Sequence, residues 1–182
     1  MKKKLLTFLM TALIVCISSV AFAAINPFID VPEKHWAYYD VAELAADGII
    51  SDDYGDCTFK GNRMATRYEV AVMIANLYAK KEGTTVSAVS RISPYVDIPK
   101  NHWAYDAVDF ITAYGIEEGY GDATFLGNRN ITHGELRTML NNLFRVTGID
   151  ARMKDNPDNE NEPITRYELA STLNKVYKAL FN

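Results

Sequence analysis

Histidine and aspartate, two residue types that often act in catalysis or metal binding, recur here in arrangements that argue against both. His35 and His102 begin equivalent segments of two repeats, so they do not form a converging cluster. The sequence contains neither an H-E-x-x-H nor a G-x-S-x-G motif. Asp52, Asp53 and Asp56 suggest calcium, but their spacing lacks the ligand ladder and distal Glu of an EF-hand. We therefore predict no enzymatic activity, no cofactor and no metal site.

The elements that position these residues occur twice, in residues 28–80 and again in residues 95–146. Both copies contain His-Trp-Ala-Tyr, a glycine at the predicted end of a helix, Tyr-Gly-Asp and Gly-Asn-Arg, in that order. The first copy needs one extra residue between Gly48 and Tyr54. Such repeats bury their apolar faces against their neighbours. The chain is therefore predicted to be a repeat protein.

A capping box occurs three times, at residues 66–69, 132–135 and 165–168. In each box the Thr oxygen accepts from the N–H three residues on, while the Glu carboxylate reaches back to the Thr N–H. Apolar residues follow at the i, i+4, i+7 and i+8 positions of an amphipathic helix. The third box follows too soon after the second for a complete unit, and residues 150–162 are polar. We therefore predict two full repeats and one partial repeat.

Each full repeat is predicted to fold as helix, loop and helix. The first helix should begin near His35 or Trp36 and end at Gly48, with one buried stripe that includes Trp36. Phe59 and its counterpart Phe125 should pack against the helices and so hold the loop in place. We expect five substantial helices around one core, which also includes Leu173 of the third unit.

The N-terminal segment has the pattern of a secretory signal peptide. Three lysines precede an apolar run, and Ala21-Phe22-Ala23 forms an A-x-A site, so cleavage is predicted before Ala24. The alternative is a retained membrane anchor, because the run nearly reaches the length of a span. Cleavage changes the formal net charge from −4 to −7 by removing three lysines, which argues against a nucleic-acid partner.

The combined pattern F-x-D-V-P-x-x-H-W-A, G-Y-G-D-x-T-F-x-G-N-R and T-R-Y-E resembles the S-layer homology (SLH) module. The tyrosine in T-R-Y-E and the G-N-R triplet are most similar to modules of envelope proteins from diderm Firmicutes. The resemblance implies an all-α fold of tandem SLH repeats, packed as a pseudo-trimeric helical bundle. We predict a signal peptide at 1–23, repeats at 24–87 and 88–150, and a linker with a partial third repeat at 151–182.

The resemblance also implies a function. An SLH protein would be exported to the cell envelope, on the periplasmic face in a diderm cell, and would bind the wall without a covalent bond. Its partner would be a secondary cell-wall polysaccharide or modified peptidoglycan. The alternative is a structural assembly protein, which self-associates or binds an envelope protein that completes the third repeat. No attached catalytic domain is expected.

The resemblance further implies ligand contacts in grooves between modules. The matching residues are Arg67, Arg166, Trp36, Trp103, Gly55, Gly121 and His133. An arginine fork suits a carboxylate, and an aromatic face suits sugar C–H groups, although core packing explains the tryptophans equally well. His133 replaces the arginine in the second repeat and cannot form the fork, so its contribution should grow only below about pH 6.5. An amine on the wall would instead favour Asp56 and Asp122.

Overall fold

The computed structural model describes residues 26–51, 55–88, 94–154 and 156–181. The predicted signal peptide, Tyr54 and two of the calcium-loop aspartates, Asp52 and Asp53, lie outside these ranges. Within them the chain forms five α-helices: α1 (Tyr38–Ala46), α2 (Arg67–Glu82), α3 (Tyr105–Ala113), α4 (His133–Thr147) and α5 (Arg166–Phe181). Two short 3₁₀ turns, Val86–Ala88 and Pro157–Asn159, complete the regular structure described. The predicted all-α fold with five substantial helices is confirmed, whereas the repeat boundaries stay predictions.

The three long helices begin at the predicted capping boxes. Thr66 and Thr132 are N-caps whose hydroxyls accept from the amides of Glu69 and Glu135. Thr165 does the same for Glu168, whose carboxylate accepts the Thr165 amide in return. These boxes satisfy N–H groups that a helix start leaves without intrahelical partners.

The two short helices begin later than predicted, at Tyr38 and Tyr105. A turn precedes each, in which the amides of His35 and His102 donate to the carbonyls of Pro32 and Pro99. The tryptophans therefore lie ahead of the helices, and the prediction that Trp36 belongs to a buried stripe was wrong.

One hydrophobic core joins the three units. Phe59, Phe125 and Leu173 are all fully buried in it, as predicted. Helix α2 packs against α3, and α5 packs against α1, so these two long helices each cover the short helix of another unit. No helix within the described ranges combines the length and apolar content needed to cross a bilayer.

A closed ring of backbone hydrogen bonds lies at the centre. The Ala65 amide donates to the Ile164 carbonyl at 2.9 Å, Ile164 donates to Ile131 at 3.2 Å, and Ile131 donates back to Ala65 at 3.0 Å. Each of these residues immediately precedes a capping threonine, so the ring relates the three long helices by a pseudo-threefold axis. Ring closure therefore requires the partial third unit.

Candidate functional site

The ring places the first turn of one unit's long helix against the Gly-Asn-Arg loop of the next. The Tyr167 and Arg166 amides each donate at 2.9 Å, to the carbonyls of Gly61 and Arg63. The Tyr68 and Arg67 amides donate in the same way to the second Gly-Asn-Arg loop, at 2.9 and 3.0 Å. Backbone groups of neighbouring units thus build two equivalent junctions.

Exposed and half-buried side chains surround each junction, and we call each set of residues a groove. The Trp36 groove consists of Asp30, His35, Trp36, Tyr167 and residues 60–63. The Trp103 groove consists of Asp97, His102, Trp103, Tyr68 and residues 126–129. A cavity of about 290 Å³ lies in one part of the Trp103 groove, lined by Tyr68, Asp97 and residues 126–129 but not by Trp103 itself. Its volume is at the small end of the roughly 300–1,000 Å³ typical of ligand clefts.

The tyrosine of the capping box forms the floor of each groove. Tyr167 stacks on His35 with ring centroids 3.9 Å apart, and Tyr68 lies over His102 at 4.3 Å. The phenol ring needs a glycine beneath it, because a Cβ on Gly61 would lie 2.2 Å from the Tyr167 ring. Burial raises the pKa of both tyrosines, and the nearby carboxylates Asp30 and Asp97 raise it further. Both phenols are therefore neutral hydrogen-bonding groups at physiological pH.

The two tryptophans are exposed beside these tyrosines. Trp36 is 61% exposed and Trp103 is 58% exposed, and each ring centroid lies about 6 Å from that of the groove tyrosine, at 6.1 and 6.0 Å. Core packing therefore does not explain either residue. An exposed indole beside a buried phenol offers an apolar face on which a flat, partly apolar ligand can stack.

An aspartate fixes the loop of each groove. Asp30 accepts from the Phe59 and Lys60 amides at 2.6 and 2.7 Å. Asp97 accepts from the corresponding Phe125 and Leu126 amides at 2.9 and 2.8 Å. Sequence reasoning passed over both aspartates because the residues that they hold lie about thirty positions away.

The structure buries Arg67 and Arg166, which the resemblance assigned to ligand contacts. Arg166 is 1% exposed; its Nε donates to the Phe59 carbonyl at 2.8 Å and its Nη1 to Glu69 at 2.5 Å. Arg67 is 2% exposed and donates to the Phe125 carbonyl and to Glu117 at 3.0 and 3.1 Å. Both guanidinium groups join two units in the interior, so neither presents a fork to a groove in this arrangement.

The arginines of the Gly-Asn-Arg triplets, which the sequence analysis did not single out, place one cation at the edge of each groove. Arg63 and Arg129 have side chains 39% and 42% exposed. They pair with Glu69 and Glu135, the glutamates of the capping boxes. Arg129 also borders the cavity in the Trp103 groove. Each groove thus combines an exposed aromatic ring with a partly exposed arginine.

The third junction has a different composition, because the described part of the third unit has no short helix preceded by a tryptophan. The His133 and Gly134 amides donate to the Glu162 and Glu160 carbonyls at 3.0 and 2.9 Å, so the polar segment replaces a Gly-Asn-Arg loop. A Cβ on Gly134 would lie 2.6 Å from the Glu160 side chain, which explains the loss of the tyrosine here. His133 lines a separate cavity of about 130 Å³.

His133 faces the third capping glutamate. Burial alone would raise the pKa of Glu168, but hydrogen bonds from the Thr165 side chain and backbone and the nearby His133 outweigh it and lower the pKa. His133 therefore occupies the place of a buried arginine, not of a groove residue.

The predicted glycines Gly55 and Gly121 lie in exposed loops. A Cβ at either position would meet no atom within 4 Å, apart from the chain neighbours. Gly55 has a φ of +67° and so serves the turn itself. Neither borders the cavity in the Trp103 groove. Among the residues that the structure describes, no group of three or more His, Cys, Asp or Glu is placed to hold a metal ion.

The molecule is thus an all-α repeat protein with an exposed tryptophan and a partly exposed arginine at each of two junctions between units. The family model for the S-layer homology domain matches residues 27–71 and 94–136. The two matches contain both tryptophans and both Gly-Asn-Arg triplets.

Three relatives show where similar sequences occur. Cell surface glycoprotein 1 of Acetivibrio thermocellus is 37% identical over 102 residues, covering 56% of this chain and 4% of the relative. Outer membrane protein SlpA of Thermus thermophilus is 43% identical over 82 residues, covering 45% and 8%. The cellulosome-anchoring protein of A. thermocellus is 29% identical over 104 residues, covering 53% and 23%. The chain thus spans less than a quarter of the length of each of these relatives.

The chain is therefore an S-layer homology domain protein. Its described residues contain two matched SLH domains, closed into a ring by a third, shorter unit.

Proposed function

We propose that this protein binds the bacterial cell wall non-covalently and acts as an anchor in the cell envelope. The observation that carries the proposal is the repeated groove, in which an exposed tryptophan lies beside a buried tyrosine and a partly exposed arginine. The name of one relative, a cellulosome-anchoring protein, and the outer-membrane designation of another support the same role. Family and relatives alike point to a structural or anchoring role without catalysis.

The ligand that suits these grooves is an acidic glycan of the wall, either a secondary polysaccharide or modified peptidoglycan. A tryptophan face packs against sugar C–H groups, and the exposed side of the arginine can donate to a ligand carboxylate. In this proposal Trp36, Trp103, Arg63 and Arg129 contact the glycan. Arg67 and Arg166 hold the junctions together and act on binding only through the shape of the grooves.

The assembly alternative, in which another chain completes the third unit, gains no support from the described geometry. Within the described ranges, Met153 packs on the core and donates its amide to Asn141 at 2.8 Å, while Glu160 covers Gly134. The chain's own polar segment therefore occupies much of the third junction.

A sedimentation assay on purified, protein-free sacculi tests the proposal. Trp36→Ala and Trp103→Ala should each weaken binding, and the double variant should abolish it. Arg63→Ala and Arg129→Ala should each reduce affinity by roughly 10- to 100-fold, the effect of losing a hydrogen bond to a charged group.

Phe181→Ala is the matched aromatic control. Phe181 is a partly exposed ring at the far end of α5, about 20 Å along the helix from Tyr167 in the groove. Its loss should leave sedimentation unchanged. Undiminished binding by the double tryptophan variant, with its fold intact by circular dichroism, would refute the groove as the binding site.

A further inference from the structure

The two grooves share one backbone frame but differ in one side chain. Lys60 in the Trp36 groove corresponds to Leu126 in the Trp103 groove. Both residues have a left-handed backbone, with φ of +55° and +54°. Both amides donate to the second carboxylate oxygen of the groove aspartate, at 2.7 and 2.8 Å. The two Cβ atoms therefore leave the loop in the same direction.

This position lies at the surface of the groove. Leu126 borders the cavity of about 290 Å³ together with Tyr68 and Arg129, and is 42% exposed. Because the loop of the Trp36 groove has the same conformation, Lys60 occupies the corresponding place beside Arg63. A left-handed backbone is unfavourable for both Lys and Leu, so the aspartate hydrogen bonds, not residue preference, maintain it.

The difference between Lys60 and Leu126 gives the two grooves different charges. The Trp36 groove has two cations at its edge, Lys60 and Arg63, whereas the Trp103 groove has one cation and an apolar side chain. The ion pair of Lys60 with Asp56 is 3.1 Å long, and both partners are well exposed. An exposed pair of this kind contributes little to stability because water screens it, so a ligand anion can take its place.

From this difference we infer that the two grooves take different units of the wall glycan. The Trp36 groove selects units with the higher density of carboxylate or other anionic groups. The Trp103 groove selects units with an apolar substituent, such as an acetyl or other acyl group, beside at most one acidic group. Lys60 and Leu126 are the residues that determine this specificity. The inference rests on the proposed glycan binding.

One other charge difference opposes this assignment. Lys100, before Trp103, corresponds to Glu33, before Trp36, and both side chains are exposed. If that turn determined selectivity, the Trp103 groove would be the more selective for acidic units. Lys100 does not border the cavity that Leu126 borders, so the loop position is expected to dominate.

The test isolates one groove at a time. Trp103→Ala leaves the Trp36 groove active, and Trp36→Ala leaves the Trp103 groove active. Each single-groove protein is titrated onto native sacculi and onto sacculi whose carboxylates have been reduced to alcohols with carbodiimide and borohydride. Reduction should weaken the Trp36 groove at least fivefold more than the Trp103 groove, because a second charged contact is lost.

The swaps Lys60→Leu and Leu126→Lys, each made in the single-groove background, complete the test. Each swap introduces a side chain that the other loop already has at the same φ, so both variants should fold. Lys60→Leu should remove the extra sensitivity of the Trp36 groove to carboxylate reduction, and Leu126→Lys should create the same sensitivity in the Trp103 groove.

The inference would be overturned, with glycan binding intact, if carboxylate reduction weakened both grooves equally or weakened the Trp103 groove more. It would also be overturned if the swaps had no effect. Native sacculi that bind wild type and the double tryptophan variant equally well would instead overturn the proposed function.

Discussion

Arg166 donates a hydrogen bond of 2.5 Å from Nη1 to Oε1 of Glu69, a residue 97 positions earlier in the chain. The other oxygen of Glu69 accepts the Thr66 amide at 2.8 Å and so completes the capping box of α2. One buried carboxylate therefore serves both a local helix start and the closure of the ring. Arg166 also lies over the Phe59 ring, with its guanidinium carbon 4.7 Å from the ring centroid.

This relationship predicts that Arg166 acts on folding. Arg166→Leu leaves the Glu69 carboxylate buried with less compensation, and should lower the free energy of unfolding by about 3–5 kcal/mol. Arg63→Ala, which removes an exposed partner of the same carboxylate, should cost at most about 1 kcal/mol. Denaturant unfolding measures both.

The opposite pattern would restore the role implied by the family resemblance. An Arg166→Leu protein of near wild-type stability that no longer sediments with sacculi would show that the arginine contacts the ligand directly. Arg67→Leu, which breaks the 3.1 Å ion pair with Glu117 and the longer 3.9 Å pair with the capping glutamate Glu135, provides a second measurement.

The capping boxes give a prediction about local stability. Thr66→Ala and Thr132→Ala should each lower the free energy of unfolding by about 0.5–2 kcal/mol, because one amide in the first turn loses its acceptor. Thr→Ser at the same positions keeps the acceptor oxygen and should recover most of the loss. Unchanged denaturation midpoints in both alanine variants would exclude a contribution from the caps.

The groove glycines predict a contrast between two substitutions in the same repeat. A Cβ on Gly127 would lie 2.1 Å from the Tyr68 ring, whereas a Cβ on Gly121 would have no neighbour within 4 Å. Gly127→Ala should therefore cost about 1–3 kcal/mol through overpacking, and should weaken sacculus binding by displacing the phenol. Gly121→Ala should stay within about 0.5 kcal/mol of wild type and bind normally. Equal effects of the two changes would contradict the close contact.

Tyr177 predicts a loss of stability at alkaline pH. A hydrogen bond to Asp47, together with burial and the negative charges nearby, raises its pKa to about 12 from the ordinary value of 10.0. The folded protein therefore keeps this proton between about pH 10 and 12, where the unfolded chain releases it. The stabilisation is fully present below pH 10 and is lost as the pH rises towards 12.

Tyr177→Phe serves as the control for that titration. The variant should be less stable at pH 7 by about 0.5–1.5 kcal/mol, because it lacks the hydrogen bond. Its free energy of unfolding should then fall less steeply above pH 10 than that of wild type. Parallel pH profiles for the two proteins would show that Tyr177 does not retain its proton.

The sequence by itself determined the local structure, because short-range interactions govern it. Residues within one or two turns determine the capping boxes at Thr66 and Thr132, the left-handed glycine after α1 and the burial of Phe59. The apolar stripes and the early third box were enough to predict five helices. The motifs that the repeats share also resemble those of the S-layer homology family, whose model matches both repeats.

Only the tertiary structure decided which side chains face solvent. The burial of Arg166 depends on a loop 107 residues earlier, whose Phe59 carbonyl accepts its Nε–H. Trp36 is exposed because its helix begins two residues later, at Tyr38. The groove glycines are needed because ring closure brings a tyrosine of another unit against them. A local motif specifies where a helix starts, but ring closure selects the neighbour that its first turn meets. That neighbour decides whether an arginine serves the fold or a ligand.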